Sequence, residues 1–149
     1  MRDFIERIEK DLPGTFVVAD MEAGLEHLSW AGGTLRYVDQ LLVVVQPTAK
    51  VMMTADRTHK LALELGIERI AFVGNRATSE ADVERMAAFA AERGCELLIA
   101  IPEDSSVPEA DKASMCVLDT APDSEAVHAI GRLAERLETD FQLVTPTGV

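Results

Sequence analysis

The sequence predicts an α/β fold, a mainly parallel sheet with helices on both faces, and three observations carry that expectation. Four short apolar runs, at residues 15–19, 41–46, 70–73 and 96–102, have the length of strands. They are nearly continuous in Val, Ile, Leu and Phe rather than alternating, as strands buried on both faces are. Helical periodicity separates most of them, the order that parallel strands need for their crossovers.

Taken in order, Phe4, Ile8 and Leu12 recur every four residues, and Pro13-Gly14 ends that helix ahead of the first run. Between the second and third runs, Val51, Ala55, Thr58, Ala62 and Leu65 form one helical stripe, with Gly66 as its stop. Ser79 followed by Asp82 resembles a capping box, and Val83, Met86, Ala87 and Ala90 then run to Gly94 as terminator. A last helix begins near Pro122, with Ala126, Ile130, Leu133 and Leu137 inward and Arg132, Glu135 and Arg136 toward water.

The chain has 149 residues, 48% of them hydrophobic, which suits one compact domain over 1–149 with residues 143–149 as a loose tail. No apolar run approaches the roughly 18–20 residues of a membrane span. The first residues, Met-Arg-Asp-Phe-Ile-Glu-Arg, do not read as a signal peptide, so no membrane partner and a cytoplasmic location are expected. A net charge of −12 argues against the basic footprint of a nucleic-acid binder. Cys95 and Cys116 are too far apart for a zinc knuckle and too few for a disulfide scaffold, and Cys95 reads as a small buried residue. His27 beside Glu26 reads as an ordinary surface or packing residue, and His59 and His128 fall within helical patterns, so none is assigned a metal.

Ligands of open α/β sheets bind beyond the carboxyl ends of the strands, so the residues that follow each run are the informative ones. They are Asp20 to Gly24, Gln46-Pro47-Thr48, Gly74-Asn75-Arg76 and Pro102-Glu103-Asp104. Asp20 could hold a magnesium-bound water while Gly24 offers an open backbone N–H to phosphate, though Asp20 could equally be a helix cap. Asn75 could be a turn residue in the left-handed region.

DMEAGLEHL at 20–28, LLVVVQPT at 41–48, AKVMMTADRTHKLALELGI at 49–67 and IAFVGNR at 70–76 together resemble the carbon monoxide dehydrogenase maturation ATPases. These are the CooC type within the MinD/ParA superfamily of P-loop proteins. The resemblance implies bound ATP or ADP with Mg²⁺, and a part in nickel maturation of a metalloenzyme client. It places Asp20 in the Walker B and switch region near Mg²⁺, which it would hold through water. It makes Gly24 the switch glycine and Asn75 the residue that recognises adenine through its amide donor and acceptor. It sets Arg76, Pro102 and Glu103 beside the base.

A P-loop needs Gly-x-x-x-x-Gly-Lys-Ser/Thr, and none of the lysines, Lys10, Lys50, Lys60 and Lys112, follows a glycine. The family's Cys-x-Cys motif and first switch are likewise not found in the sequence. Only the part from Walker B to the C-terminus is represented, with no catalytic residue and no hydrolysis expected from the chain alone. Three functions remain open at this point. One is a split or truncated switch ATPase that works beside a P-loop-bearing chain or as a homo-oligomer. Another is a noncatalytic interaction module that pairs with an intact ATPase or a metalloenzyme. The last is a fragment without independent function.

Overall fold

A computed structural model of the protein describes residues 16–21 and 38–141. Along the chain it contains β1 (Leu41–Val45), α1 (Ala49–Glu64), β2 (Ile70–Ala77), α2 (Glu80–Ala91), β3 (Leu97–Pro102), α3 (Ser106–Lys112), α4 (Val117–Thr120) and α5 (Glu125–Asp140). The strands form a parallel sheet in the order β1-β2-β3, so the α/β class read from the apolar runs is the class observed.

β2 is central and buried on both sides. Phe72 is fully buried, meeting the Phe89 ring of α2 edge-on at 5.5 Å and lying 5.9 Å from the His59 ring of α1. Ala71 and Val73, which alternate to the opposite face, are buried as well, and α5 packs against the neighbouring β3. The main core joins Val43 and Val45 of β1, Ala55 of α1, Phe72, and Met86, Phe89 and Ala90 of α2.

The stop and start signals act as expected. Ser79 caps α2 by accepting from Asp82 N–H at 3.3 Å, and the Asp82 carboxylate accepts in return from the N–H and hydroxyl of Thr78 at 3.0 and 2.7 Å. Gly66 and Gly94, just past α1 and α2, hold φ values of 79° and 68°, where an L side chain is disfavoured.

Several expectations differ from the structure. Phe16 to Asp20 is not a strand, and Phe16, Val17 and Val18 are exposed, because no described strand lies beside the run to pair with it. β2 continues through Gly74-Asn75-Arg76 to Ala77, so these residues are part of the strand rather than a turn after it. Phe89 rather than Ala87 faces the core from α2. α5 starts at Glu125 and buries Ala126 and Ala129, leaving Ile130 exposed, because the helix approaches the sheet along its small side chains. The helix expected around Phe4 to Leu12 and the tail at 143–149 lie outside the described residues.

Two glycines give a contrasting test of this packing. A Cβ on Gly74 would meet Met86 Cε at 2.9 Å and the Ala100 Cα at 3.2 Å, whereas nothing lies within 4 Å of one on Gly131 in α5. Gly74→Ala is expected to destabilise by about 1–3 kcal/mol through overpacking. Gly131→Ala is expected to stabilise by about 0.5–1 kcal/mol through helix propensity. Urea unfolding of the two variants reads both values, and equal signs would refute the packing described.

Candidate functional site

The site begins where β2 and β3 fall out of step. Gly74 pairs with Ala100 and Ala77 with Pro102, so one extra residue is accommodated on β2, a bulge. Bulges kink a strand and re-aim a side chain, and this one falls at Asn75 and Arg76. Arg76 rather than Asn75 takes the left-handed conformation, with φ of 59°. Asn75 is half-buried, and its side-chain Oδ1 accepts from the Arg76 N–H at 2.9 Å.

Opposite stands the turn that ends β3. Glu103 N–H donates to Ala77 O at 2.8 Å, tying the turn to β2 across the bulge. Arg76 Nε and Nη2 donate to the two Glu103 carboxylate oxygens at 2.7 and 3.0 Å, a forked ion pair between two exposed side chains. The pair holds Glu103 below the usual carboxylate range and raises Arg76, in both cases chiefly through the side-chain hydrogen bond. Asn75, Arg76, Pro102 and Glu103 thus sit together at the carboxyl ends of β2 and β3.

Asp104 anchors this edge to α5. Its Oδ1 accepts from the Ser106 hydroxyl and from the Ser106 N–H at 2.9 Å, and its Oδ2 accepts from Ala126 N–H at 3.2 Å in the first turn of α5. Ser124 caps the same helix from Val127 N–H at 3.3 Å. Negative charge is favourable at a helix N-terminus, and these hydrogen bonds, those from Ser106 foremost, hold Asp104 down at about 2 against an ordinary 3.8. This anchor was not anticipated, although Asp104 two residues before Ser106 and four before Pro108 is a legible helix-start signal.

Asp20 lies elsewhere. Its neighbour Met21 packs on Ala62 and Ile67 with Leu41 and Ile70, the first residues of β1 and β2. Phe16 meets Phe141, just past α5, edge-on at 5.9 Å. The segment therefore runs by the amino ends of the strands, across the sheet from Asn75. Gly24 is outside the described residues.

A second polar cluster lies between α1 and the turn before β3. Cys95 Sγ is 3.3 Å from His59 Nε2, and Asp56 receives Arg93 at 2.7 Å and Lys60 at 2.7 Å. Burial lowers His59 and raises Cys95, which favours the neutral imidazole and the protonated thiol over a reactive thiolate. Among the described residues no group of three or more His, Cys, Asp or Glu could hold a metal ion, and no helix is long and apolar enough to cross a membrane.

No protein-family model matches the sequence. Over 108 residues the chain is 37% identical to the carbon monoxide dehydrogenase accessory protein CooC of Rhodospirillum rubrum, a match covering 71% of this chain and 39% of that protein. The Aquifex aeolicus MinC:MinD cell division complex superposes with a TM-score of 0.76 at 22% identity, over 92% of this chain and 57% of the other. The septum site-determining protein MinD of Pyrococcus horikoshii, solved with Mg-ADP, superposes with a TM-score of 0.68 at 22% identity, over 93% and 58% respectively. The chain spans less than two thirds of the length of each of these proteins.

The fold is that of the MinD-type P-loop ATPases. Within them, the chain belongs to the CooC type of the MinD/ParA family and corresponds to the C-terminal part.

Asp104 supplies the test of how this edge is held. Its folded value is below its unfolded one, so its contribution is present above pH 3.8 and lost as the pH falls to about 2. Asp104→Asn is expected to lower Tm by roughly 3–6 °C near neutrality, as loss of a helix-capping acceptor does. Thermal melts from pH 7 down to 2 should show the gap from the unsubstituted protein closing at the acid end. A gap unchanged at pH 2 would contradict the anchoring role.

Proposed function

We propose that this chain is the adenine-side part of an ATP-dependent switch that serves metallocentre maturation, the work implied by the name of its CooC relative. In this reading it acts in the cytoplasm, with nickel delivered to a carbon monoxide dehydrogenase as the cargo. The observation that supports it is the position of Asn75 at the carboxyl end of β2, half-buried beside the turn that ends β3. A carboxamide there offers one acceptor and two donors to the edge of a base. Pro102 would form one wall of the crevice.

In this reading the described residues serve the base and not the phosphates. Asn75, Pro102 and the Glu103 turn lie at the carboxyl ends of β2 and β3, whereas Met21, next to Asp20, packs beside the first residues of β1 and β2. Mg²⁺ with the ATP phosphates would supply the energy of the switch, through a Gly-Lys loop that the sequence does not contain. In this reading that loop comes from a segment or chain beside β1. Phe16 to Asp20 would then join the sheet, carrying Asp20 and Gly24 to the carboxyl edge, where Asp20 would hold Mg²⁺ through water.

A second reading, an interaction module for an intact ATPase or a metalloenzyme, is supported by apolar exposure. Val44 of β1 is 55% exposed, more than a strand covered on both faces leaves open, and Val17 and Val18, outside the sheet, are 44% and 79% exposed.

Titration of the full chain with Mg-ATP, followed by Trp30 fluorescence and by calorimetry, separates the two. The switch reading predicts saturable binding, weakened about tenfold or more in Asn75→Ala by loss of the donor and acceptor. It also predicts no phosphate release above the buffer rate from the chain alone. No heat and no fluorescence change up to millimolar Mg-ATP would leave the interaction module as the function.

A further inference from the structure

Arg76 and Glu103 stand beside the proposed base crevice, yet each occupies the other. The guanidinium fork gives two hydrogen bonds, at 2.7 and 3.0 Å, to the two carboxylate oxygens, the geometry of a bidentate pair. Groups so engaged would have to break that pair before contacting a nucleotide, which makes them poor contact residues.

Their position in the backbone gives them other work. Arg76 is the left-handed residue of the bulge, with φ of 59°, a conformation that a residue with a side chain adopts only when its surroundings hold it. Its N–H, aimed by that conformation, donates to Asn75 Oδ1 at 2.9 Å. On the far side, the Glu103 N–H bonds to Ala77 O, and Asp104 fixes the turn to α5, so the Glu103 carboxylate is held from a firm base.

We propose that the Arg76–Glu103 pair is a positioning clamp that holds the left-handed end of β2, keeps Asn75 Oδ1 on the Arg76 N–H and thereby sets which base edge the Asn75 carboxamide accepts. The inference rests on the nucleotide reading above and adds to it the source of selectivity. With Oδ1 fixed, one of its lone pairs and the Nδ2 hydrogens present an acceptor beside a donor. Adenine answers with its amino donor beside the N7 acceptor, while guanine presents two acceptors, O6 and N7, one of which would face Oδ1. A site built to pair a donor rejects a ligand lacking it. Releasing the clamp lets the carboxamide rotate and turn Nδ2 toward either base, so selectivity falls more than general binding does.

The test compares the full chain with Glu103→Gln, which removes the charge and keeps the volume, and with the double exchange Arg76→Glu/Glu103→Arg, which rebuilds the pair reversed. Calorimetry with Mg-ATP and Mg-GTP gives the preference for each. Glu103→Gln is expected to lower the ATP-over-GTP preference by about fivefold or more, and the double exchange to recover at least half of it. An unchanged preference in Glu103→Gln would overturn the clamp, and so would a double exchange no better than the single one.

A measurement without nucleotide keeps the clamp testable even where the nucleotide reading itself fails. The Asn75 side-chain amide resonances in ¹⁵N-correlated spectra should be sharp and dispersed in the unsubstituted protein. They should move toward averaged positions in Glu103→Gln and in high salt, which screens the exposed pair. Identical Asn75 resonances in both proteins, with the rest of the spectrum folded, would refute the clamp by itself.

Discussion

The carboxyl edge of the sheet depends on how closely β2 passes beneath α2 at Gly74. The missing side chain lets the Met86 thioether close over the strand and lets Ala100 of β3 lie beside it, while Phe72 fills the space two residues earlier. Packing at that density holds β2 at Gly74 between Met86 and Ala100. Beyond Gly74, β2 shifts register against β3 a second time, after a first shift between Phe72 and Val73, and the bulge there places Arg76 against the Glu103 turn. The apolar contact below and the polar arrangement above are therefore one construction.

Above Gly74 the forces change in kind. The Arg76–Glu103 pair is exposed, and ion pairs between solvated side chains stabilise a fold weakly even when the geometry is good. Its value lies in direction, because it joins the end of one strand to the turn after the next. Asp104 does more of the holding, with hydrogen bonds from the Ser106 hydroxyl and N–H and from Ala126 N–H that join the same turn to the start of α5. The edge is thus pinned on both sides of Glu103, by β2 through Ala77 and by α5 through Asp104.

The sequence carried the layer architecture well because buried parallel strands are continuous apolar runs, and 41–46, 70–73 and 96–102 are such runs. Ser79, Gly66 and Gly94 were readable because caps and left-handed stops demand particular residue types. The bulge was not readable, since Asn75 and Arg76 look like a turn and only the register of β3 makes them strand. Nor was the exposure of Ile130, because helical periodicity admits Ala129 equally and the approach of α5 to β3 decides between them. The run at Phe16 to Ala19 shows the same limit from the other side: apolar character marks a segment fit to be a strand, but pairing needs a neighbour. Strand-end position singled out Asn75, Pro102 and Glu103, which the structure sets at the ends of β2 and β3, and Asp20, whose neighbour Met21 packs beside the first residues of β1 and β2.

The chain belongs to a family of P-loop ATPases and yet contains no Gly-Lys sequence, and the proposed function accordingly assigns it the base and not the phosphates. Base recognition needs only a few atoms at the ends of β2 and β3, whereas phosphate binding needs a loop of backbone N–H groups and a lysine. The most direct measurement of this division is a residue-by-residue chemical-shift map of the full chain titrated with Mg-ADP. Perturbations confined to Gly74 to Ala77 and to Ile101 through Asp104 are the result expected of an adenine-side site. Perturbations centred elsewhere, or none at saturating concentration in a folded protein, would contradict it.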